Sequence, residues 1–461
     1  MNITDLQDTI VALSTPVGQG AIGVIRLSGK KAIAICNDVF YGTDLSNKNS
    51  HTLHFGTIRK DDKILDEVVV GLFKAPNSYT RENVVEVSCH GSSYILESVL
   101  RLFLEKGARM ATAGEFTMRS FLNGRMDLSQ AEAVADLIAS ESEEAHQTAI
   151  KQMRGGYSEE LSRLRQELID FASLIELELD FAEEDVVFAK RPALIGLVNK
   201  IHLLIRDLLH SFQLGNVIKN GVATVIAGRP NAGKSTLLNL LLNEERAIVS
   251  EIAGTTRDVI EEVLNIQGIQ FRLIDTAGIR DATDKIEAIG VAKTHERIAK
   301  AALLVYVFDA QTTTLETVKQ NLENVNPDSI PVLLLANKMD QVGEGNYEQK
   351  LSEMFPEKAL LAISANEKKY LPIIKNKLHQ LVMSGNLSAP KHLLTNVRHF
   401  DALQKADTDL ATVAKGLASE LSLELIATDI RSAIHHLGLI TGEVSTDDLL
   451  GNIFGKFCIG K

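Results

Sequence analysis

A short glycine-rich segment constrains the fold more than any other part of this chain. Residues 228–235 read GlyArgProAsnAlaGlyLysSer and match the pattern GxxxxGKS/T. An apolar run at 222–227 precedes the segment, and the helix-compatible run 236–242 follows it. Glycines permit close approach of the backbone, so that loop amides and a helix N-terminus can cradle phosphates. The segment predicts a P-loop, with Lys234 at the β and γ phosphates and Ser235 on Mg²⁺.

Three further polar segments follow the P-loop along the chain. The sequence AspThrAlaGly at 275–278 ends an apolar run, so Asp275 can hold Mg²⁺ through water and the Gly278 amide can meet the γ-phosphate. AsnLysMetAsp at 337–340 ends another run, and the carboxylate of Asp340 can accept hydrogen bonds from both N1 and N2 of guanine. SerAlaAsn at 364–366 would support the same base.

These segments together resemble the TRAFAC class of GTPases over residues 222–383. Thr256 lies where switch I supplies a second Mg²⁺ ligand in that class. Ile279 stands where Ras-like proteins carry a glutamine that orients water, so hydrolysis needs another group. Asp281, Asp284 and Glu287 are candidates, and a solvated acidic loop is the alternative interpretation. The Asn231 side chain offers an oxygen for a monovalent cation that would stabilise transition-state charge.

The remaining patterns predict a multidomain protein that combines α/β and all-α parts. Residues 1–118 contain short β-rich runs at 9–13, 21–27, 67–73 and 84–88 and a helical pattern at 92–105. Helical patterns occupy 129–214, in runs without Gly or Pro from Ser129 to Arg154 and from Tyr157 to Arg191, after which Pro192 can begin a third helix. A further helical pattern occupies 397–437 and is interrupted only by Gly416. One apolar stripe at helical spacing indicates a core-facing helix: Leu161, Leu164, Leu168, Phe171, Ile175 and Leu179.

The simplest architecture is a Ras-like P-loop GTPase domain inserted between two halves of a helical domain. We expect an N-terminal α/β domain at 1–118, helical segments at 119–220 and 384–461, and the GTPase domain at 221–383. In the expected GTPase domain, near-continuous apolar strands such as 303–308 and 331–336 indicate a sheet covered on both faces.

Charge and cysteine content restrict the partners and the compartment. The 461-residue chain has 48 Lys and Arg against 60 Asp and Glu, a net charge of −12, so it does not coat nucleic acid through bulk electrostatics. It contains no apolar run long enough for a transmembrane helix, and the acidic N-terminal segment argues against a signal or transit peptide. The three separated cysteines, Cys36, Cys89 and Cys458, fit a reducing cytosol without disulfides or a zinc site.

The C-terminal segment PheCysIleGlyLys leaves two interpretations of Cys458 open. Gly460 and Lys461 do not fit a prenylation box. One interpretation is a frayed terminus with a buried free cysteine. The other is a reactive thiol, because Lys456 and Lys461 would stabilise the thiolate.

Four segments together resemble the MnmE (TrmE) family of tRNA-modifying GTPases, over essentially the whole chain. They are the P-loop, GluIleAlaGlyThrThrArgAsp at 251–258, GluPheThrMetArgSerPheLeuAsnGlyArgMetAspLeuSerGlnAlaGluAla at 115–133 and the PheCysIleGlyLys end. The resemblance implies a cytoplasmic homodimer that works with MnmG, an FAD- and NADH-using partner, as a heterotetramer. Together they would add a carboxymethylaminomethyl or aminomethyl group to C5 of the wobble uridine of certain tRNAs. The one-carbon unit would come from 5-formyl- or 5,10-methylene-tetrahydrofolate on the N-terminal domain, which would also form the dimer.

The resemblance also assigns roles to residues of this chain. Glu287 matches the glutamate that orients the attacking water, and Cys458 is the candidate catalytic thiol. The K⁺ site corresponds to Asn231, Ser250, Ile252 and Thr255. The folate site corresponds to Arg26, Glu86, Arg125 and Lys461. The GTP-binding set is Asn231, Ala232, Gly233, Lys234, Ser235, Thr236, Ser250, Glu251, Ile252, Ala253, Gly254, Thr255, Thr256, Asp275, Thr276, Ala277, Gly278, Asn337, Lys338, Asp340, Ser364, Ala365 and Asn366.

Two other functions are compatible with parts of the sequence. Ribosome-assembly GTPases of the Era or EngA kind share the P-loop and the hydrophobic residue after AspThrAlaGly. They lack the flanking domains and the PheCysIleGlyLys end, and no RNA-binding KH pattern is evident here. A GTP-gated scaffold without an enzymatic partner is the second alternative, and co-purification with an FAD-binding protein would separate it from the first hypothesis.

Overall fold

The computed structural model describes residues 8–180, 191–245, 262–274, 301–325, 330–342, 347–356, 358–383, 392–419 and 422–460. The strands are β1 Ile10–Leu13, β2 Ile22–Ser28, β3 Phe40–Tyr41, β4 Thr52–Lys60, β5 Lys63–Phe73, β6 Val84–His90, β7 Arg109–Met110, β8 Val222–Ala227, β9 Glu262–Ile266, β10 Ile269–Leu273, β11 Leu303–Asp309, β12 Val332–Asn337 and β13 Ala359–Ala362. The helices are Ala32–Asn37, Ser93–Glu105, Glu115–Leu122, Leu128–Ala139, Glu143–Met153, Ser158–Asp180, Arg191–Asn220, Lys234–Glu245, Leu315–Val325, Tyr347–Met354, Leu371–Met383, Val397–Ala418, Leu423–Thr441 and Asp447–Phe454.

The described residues form two compact units. The first draws on 1–138, 149–202 and 402–461, and the second on 139–148 and 203–401. The expected multidomain α/β and helical class is confirmed, whereas the bounds of the four expected segments stay a prediction. Among the described helices, none combines the length and the apolar character needed to cross a membrane.

The first unit contains a sheet in the order β3-β4-β5-β6-β2-β1-β7, antiparallel except where β7 joins β1. Side chains on a strand alternate between the two faces of a sheet. One face, with Ile25 and Val87, packs against helices Ala32–Asn37 and Ser93–Glu105 in a single core. The opposite face therefore carries Arg26 and Glu86, which are paired across β2 and β6.

The helical part of the first unit contains the predicted stripe. On helix Ser158–Asp180, Leu161, Leu164, Leu168 and Ile175 are buried, and the helix packs on Leu423–Thr441. Pro192, which was expected to begin a helix, lies in helix Arg191–Asn220, and residues 181–190 before it lie outside the described residues. The predicted pattern at 92–105 is confirmed as helix Ser93–Glu105.

The second unit contains the sheet β13-β12-β11-β8-β10-β9, parallel except for β9. Its strands carry buried side chains on both faces. One face packs with helices Lys234–Glu245 and Leu371–Met383, and the other with Leu315–Val325 and Tyr347–Met354. The predicted two-sided sheet is thereby confirmed.

Two helical predictions differ from the structure. The run from Ser129 to Arg154 divides between Ala139 and Glu143, where the Ser142 hydroxyl accepts a hydrogen bond from the Ala145 amide at 3.2 Å and caps the new helix. Gly416 does not interrupt its helix, which continues to Ala418. A single glycine costs a helix only about 1 kcal/mol, which packing of the helix can offset.

Candidate functional sites

The P-loop takes its shape from residues whose backbone φ is positive. The loop connects the end of β8 to helix Lys234–Glu245, and Gly228, Asn231 and Gly233 have φ of 149°, 61° and 96°. A Cβ atom at Gly228 would lie 1.9 Å from the carbonyl oxygen of Val307, and one at Gly233 would lie 2.0 Å from Nδ2 of Asn337. Glycine is therefore required at 228 and 233 for both conformation and close approach.

Lys234 folds back over this loop at the start of its helix. Its ammonium group donates hydrogen bonds to the carbonyl oxygens of Gly228 and Arg229, both at 2.8 Å. Burial lowers the pKa of Lys234 below its ordinary value, because desolvation disfavours the charged form. Ser235 and Thr236 follow in the first helical turn and are exposed at this end of the helix.

Asn337, the first residue of the 337–340 segment, links the P-loop to the 364–366 segment, and both of these segments were predicted to read the base. Its Nδ2 donates to the carbonyl oxygen of Ala232 at 2.8 Å, and its Oδ1 accepts from the amide of Ala365 at 2.9 Å. All three residues are buried. The side chain thus satisfies one backbone acceptor of the P-loop and one backbone donor of the 364–366 segment.

The next residues turn the chain at the end of β12. Lys338 has φ of 66°, and its ammonium group pairs with Asp309 Oδ2 at 2.7 Å. Burial opposes ionisation of Asp309, but hydrogen bonds from Lys338 and the Gln311 amide lower its pKa below the ordinary value. The Asp340 amide donates to Ser364 Oγ at 3.0 Å, and Asp340 itself is exposed.

The nucleotide edge, which we define as residues 228–236, 309, 337–340 and 364–366, gathers at the carboxyl ends of parallel strands. Strands β8, β11, β12 and β13 all end there, which is where open α/β sheets bind ligands. Asp309 was missed by the sequence analysis. A signal existed, because this acid ends the apolar run of β11 just as the predicted acids end theirs.

A second cluster lies on the sheet face of the first unit that is opposite helices Ala32–Asn37 and Ser93–Glu105. Arg26 donates through Nε to Glu86 Oε1 at 2.8 Å, and its Nη2 reaches the same oxygen at 2.8 Å. The guanidinium carbon lies 5.5 Å from the ring centroid of Tyr79 and 5.7 Å from that of Phe116. The Arg26 guanidinium is therefore held by the Glu86 carboxylate and by two aromatic rings.

The C-terminal segment contacts this pair. The carbonyl oxygen of Gly460 accepts from Arg26 Nη1 at 3.4 Å and from the Ser14 hydroxyl at 3.2 Å, and Ile459 bridges Ala113. Gly460 has φ of 98°, and a Cβ atom there would lie 2.3 Å from the carbonyl oxygen of Leu13. The segment is thus docked on the sheet rather than frayed.

Cys458 is exposed, which contradicts the interpretation of a buried cysteine at this position. Cys458 lies two residues before Gly460 in the docked segment. Its carbonyl oxygen accepts a hydrogen bond from the amide of Gly114 at 3.3 Å. Cys36 and Cys89 are the buried cysteines, and burial raises the pKa of Cys89 to about 12.

Arg125 joins this region through the ring of Tyr79. Its guanidinium carbon lies 5.3 Å from that ring centroid, and its Nη1 donates to the carbonyl oxygen of Ser78 at 2.5 Å. Tyr79 therefore has one arginine from β2 and one from the segment before helix Leu128–Ala139 as neighbours. Neither Tyr79 nor the contact of Arg26 with Gly460 was signalled by the sequence.

Several predicted site residues lie outside the described residues. They are Ser250, Glu251, Ile252, Ala253, Gly254, Thr255, Thr256, Asp275, Thr276, Ala277, Gly278, Glu287 and Lys461. Their assignments, like the roles of the described site residues, stay predictions.

The strand, loop and helix of the nucleotide edge define a P-loop nucleotide-binding protein. Two family models match the chain: "GTP-binding protein TrmE N-terminus" over residues 9–125 and "MnmE helical domain" over residues 128–458. A Cytophaga hutchinsonii protein named tRNA modification GTPase MnmE is 52% identical, covering 100% of this chain and 99% of the relative. A Flavobacterium psychrophilum protein of the same name is 53% identical, covering 98% of this chain and 99% of the relative.

The chain belongs to the MnmE family of tRNA modification GTPases. The predicted family and the predicted GTPase activity are thereby confirmed, in place of the ribosome-assembly alternative.

Solved structures resemble parts of the chain. Era in complex with MgGDPNP and a segment of 16S ribosomal RNA is 24% identical with a TM-score of 0.27, covering 40% of this chain and 65% of that one. A Sulfolobus solfataricus GTP-binding protein in complex with GDP is 20% identical with a TM-score of 0.28, covering 48% and 67%. Similarity at this level does not bear on function.

Proposed function

We propose that this chain couples GTP hydrolysis to modification of tRNA at the wobble uridine. With MnmG it would add a carboxymethylaminomethyl or aminomethyl group to C5 of that base. The observation that carries the proposal is the docking of the PheCysIleGlyLys segment beside the Arg26–Glu86 pair. The resemblance connects both the C-terminal segment and the Arg26–Glu86 pair with one-carbon transfer. The two are neighbours in space, although Arg26 and Gly460 are 434 positions apart in the sequence.

The nucleotide edge supports GTP as the substrate that is hydrolysed to GDP and phosphate. Lys234 would bind the β and γ phosphates, and Ser235, with Thr256 of switch I, would hold Mg²⁺. The exposed hydroxyl of Ser235 at a helix N-terminus has the oxygen chemistry that Mg²⁺ prefers. Asn231, with Ser250, Ile252 and Thr255, would hold K⁺, and Glu287 would orient the attacking water.

The guanine assignment has a direct test in the variant Asp340→Asn. The variant should bind GTP more weakly by about 1–3 kcal/mol, the cost of leaving a buried donor unpaired, and should gain affinity for xanthosine triphosphate. Titration with both nucleotides measures this exchange. Unchanged GTP affinity would remove Asp340 from base recognition.

The Arg26–Glu86 pair supports a tetrahydrofolate derivative as the ligand of the first unit. A guanidinium and a carboxylate that are adjacent and partly exposed match a ligand that presents both hydrogen-bond acceptors and N–H donors. Arg26, Glu86, Arg125 and Lys461 would hold the folate, which would supply the one-carbon unit. The exposed Cys458 thiol would act beside it.

An apolar patch on the same sheet face supports a homodimer formed by this unit. Leu53 and Phe55 on β4 are 73% and 69% exposed, and Ile22 on β2 is 64% exposed. By strand alternation they lie on the face of Arg26, opposite the core. Large apolar side chains exposed on one sheet face favour an interaction site. We further propose that the homodimer acts in the cytoplasm and assembles with MnmG into a heterotetramer.

A deletion strain complemented with this chain tests the whole proposal. Mass spectrometry of wobble nucleosides should show the C5 modification with the natural chain and its loss with Arg26→Gln. Affinity purification should recover an FAD-binding partner from the same cells. Restored modification without such a partner would contradict the complex, and absence of modification in the complemented strain would contradict the function.

A further inference from the structure

A basic cleft lies beside the folate site proposed above. It has a volume of about 800 Å³, and its wall includes His51, Phe73, Tyr79, Arg81 and Arg125. Of the described residues that line it, none carries a carboxylate. In a chain with a net charge of −12, this concentration of basic groups is a local exception. A cleft lined by one sign of charge concentrates ligands of the opposite sign.

The two arginines of the cleft are held by backbone oxygens and leave their positive charge unneutralised by described carboxylates. Arg81 donates through Nη1 to the carbonyl oxygen of Asn123 at 3.0 Å, and Arg125 donates to that of Ser78. Both side chains are exposed. A guanidinium fixed by one bond retains further N–H groups, which suit a carboxylate or a phosphate.

The backbone at this cleft is also unusual. His51 and Arg81 have φ of 62° and 59°, a region that residues other than glycine rarely occupy. Asn231 and Lys338, which belong to the nucleotide edge, share this property. Asp61 and Gln267, in the turns that join β4 to β5 and β9 to β10, share it too. The conformation therefore fixes the backbone at His51 and Arg81, whereas the charge of the cleft and the Tyr79 contacts indicate a ligand.

Tyr79 connects the cleft to the Arg26–Glu86 pair. The ring lines the cleft, and it lies 5.5 Å from the Arg26 guanidinium and 5.3 Å from that of Arg125. A ligand whose head lies at Arg26 and Glu86 can therefore extend past this ring to Arg81 and His51. Such a ligand needs an aromatic portion at Tyr79 and several anionic groups beyond it.

We infer that the cleft binds the γ-linked glutamate tail of a polyglutamylated folate. The inference rests on the folate assignment proposed above and adds a preference for carriers with several glutamates. Each added glutamate contributes one carboxylate, for which Arg81, Arg125 and His51 are the partners. RNA phosphates are the competing occupant of the cleft. The folate tail is favoured because Tyr79 joins the cleft to Arg26, where the head of the same ligand would be bound.

Titration of the full-length chain with 5-formyl-tetrahydrofolate as mono- and triglutamate tests the inference. The triglutamate should bind about fivefold more tightly at low ionic strength, because exposed charge pairs each contribute modestly. The ratio should approach one in about 1 M salt, where the screening length is about 3 Å. Arg81→Gln should reduce the ratio to about two, because Arg125 and His51 remain. It should leave monoglutamate affinity unchanged, which also shows that the variant is folded.

Arg101→Gln is the matched control, since Arg101 is an exposed arginine of the first unit outside this cleft and pairs with Glu97. It should keep the natural ratio. Equal affinity of the natural chain for both folates would overturn the inference but leave the folate assignment intact. Failure to bind the monoglutamate would instead overturn the folate assignment. An unchanged ratio in Arg81→Gln, with weakened tRNA binding, would assign the cleft to RNA phosphates.

Discussion

The nucleotide edge and the Arg26–Glu86 region are built from sequence in opposite ways. The nucleotide edge consists mainly of short contiguous segments at the carboxyl ends of parallel strands. The residues of each motif are therefore already adjacent in the sequence. The Arg26–Glu86 region takes single residues from β2, β6, the Tyr79 loop and the C-terminal segment. A site of the first kind is visible as motifs, whereas one of the second kind exists only after the sheet has formed its register.

Even the nucleotide edge depends on one long-range contact, through Asn337. Asn337→Ala should leave the Ala232 carbonyl and the Ala365 amide buried without a partner, at about 1–3 kcal/mol each. We expect the largest effect of the set: a loss of about 2–6 kcal/mol in the free energy of unfolding or, where the fold survives, a matching loss of GTP affinity.

Denaturant unfolding and GTP titration measure both quantities. Asn216→Ala is the control, because that exposed asparagine only accepts a hydrogen bond from Asn220 on the same helix. Natural stability and natural affinity in Asn337→Ala would show that the motifs assemble independently of each other.

The next prediction separates turnover from binding at the nucleotide edge. Glu287→Ala should leave GTP affinity nearly intact, because Lys234, Ser235 and Asp340 are unchanged. It should lower the hydrolysis rate by about 10²-fold, the scale of a positioned acid–base or orienting group. Single-turnover kinetics with saturating GTP provide the measurement. Hydrolysis at the natural rate would make Asp281 or Asp284 the next candidate.

The docked C-terminal segment offers the corresponding test of the other region. Gly460→Ala should displace the segment, because φ is 98° and the added Cβ would contact the Leu13 carbonyl. Strain of about 1–3 kcal/mol should lower tRNA modification about tenfold, with GTP hydrolysis unchanged. Gly451→Ala is a matched control, since a Cβ atom there would meet no described residue beyond its own helix backbone and chain neighbours within 4 Å. Equal modification by both variants would show that docking is not needed.

The smallest expected effect concerns monovalent cations. At equal ionic strength, GTP hydrolysis should be severalfold faster in K⁺ than in Na⁺, because a cation held at Asn231 would stabilise transition-state charge. Folate binding to the first unit should be the same in both salts. Equal hydrolysis rates would remove the cation from the mechanism. Folate binding that differs between the two salts would show that the cation effect is not confined to the nucleotide edge.

The sequence by itself determined the P-loop, the two-sided parallel sheet and most helices of this protein. These features depend on local chemistry: glycines where the backbone is left-handed, apolar runs in covered strands, and a stripe at helical spacing on Ser158–Asp180. The break near Ser142 was missed because a serine cap gives a weaker sequence signal than glycine or proline.

Only the tertiary structure decided the rest. The pairing of Arg26 with Glu86 follows from the β2–β6 register, and the contact with Gly460 from docking of the chain end on that sheet. The role of Asn337 as a link likewise appears only when β8, β11, β12 and β13 have formed one sheet, in which β11 lies between β12 and β8. The physical reason is that strand register and chain-end docking depend on the summed burial of many side chains, which no single motif encodes.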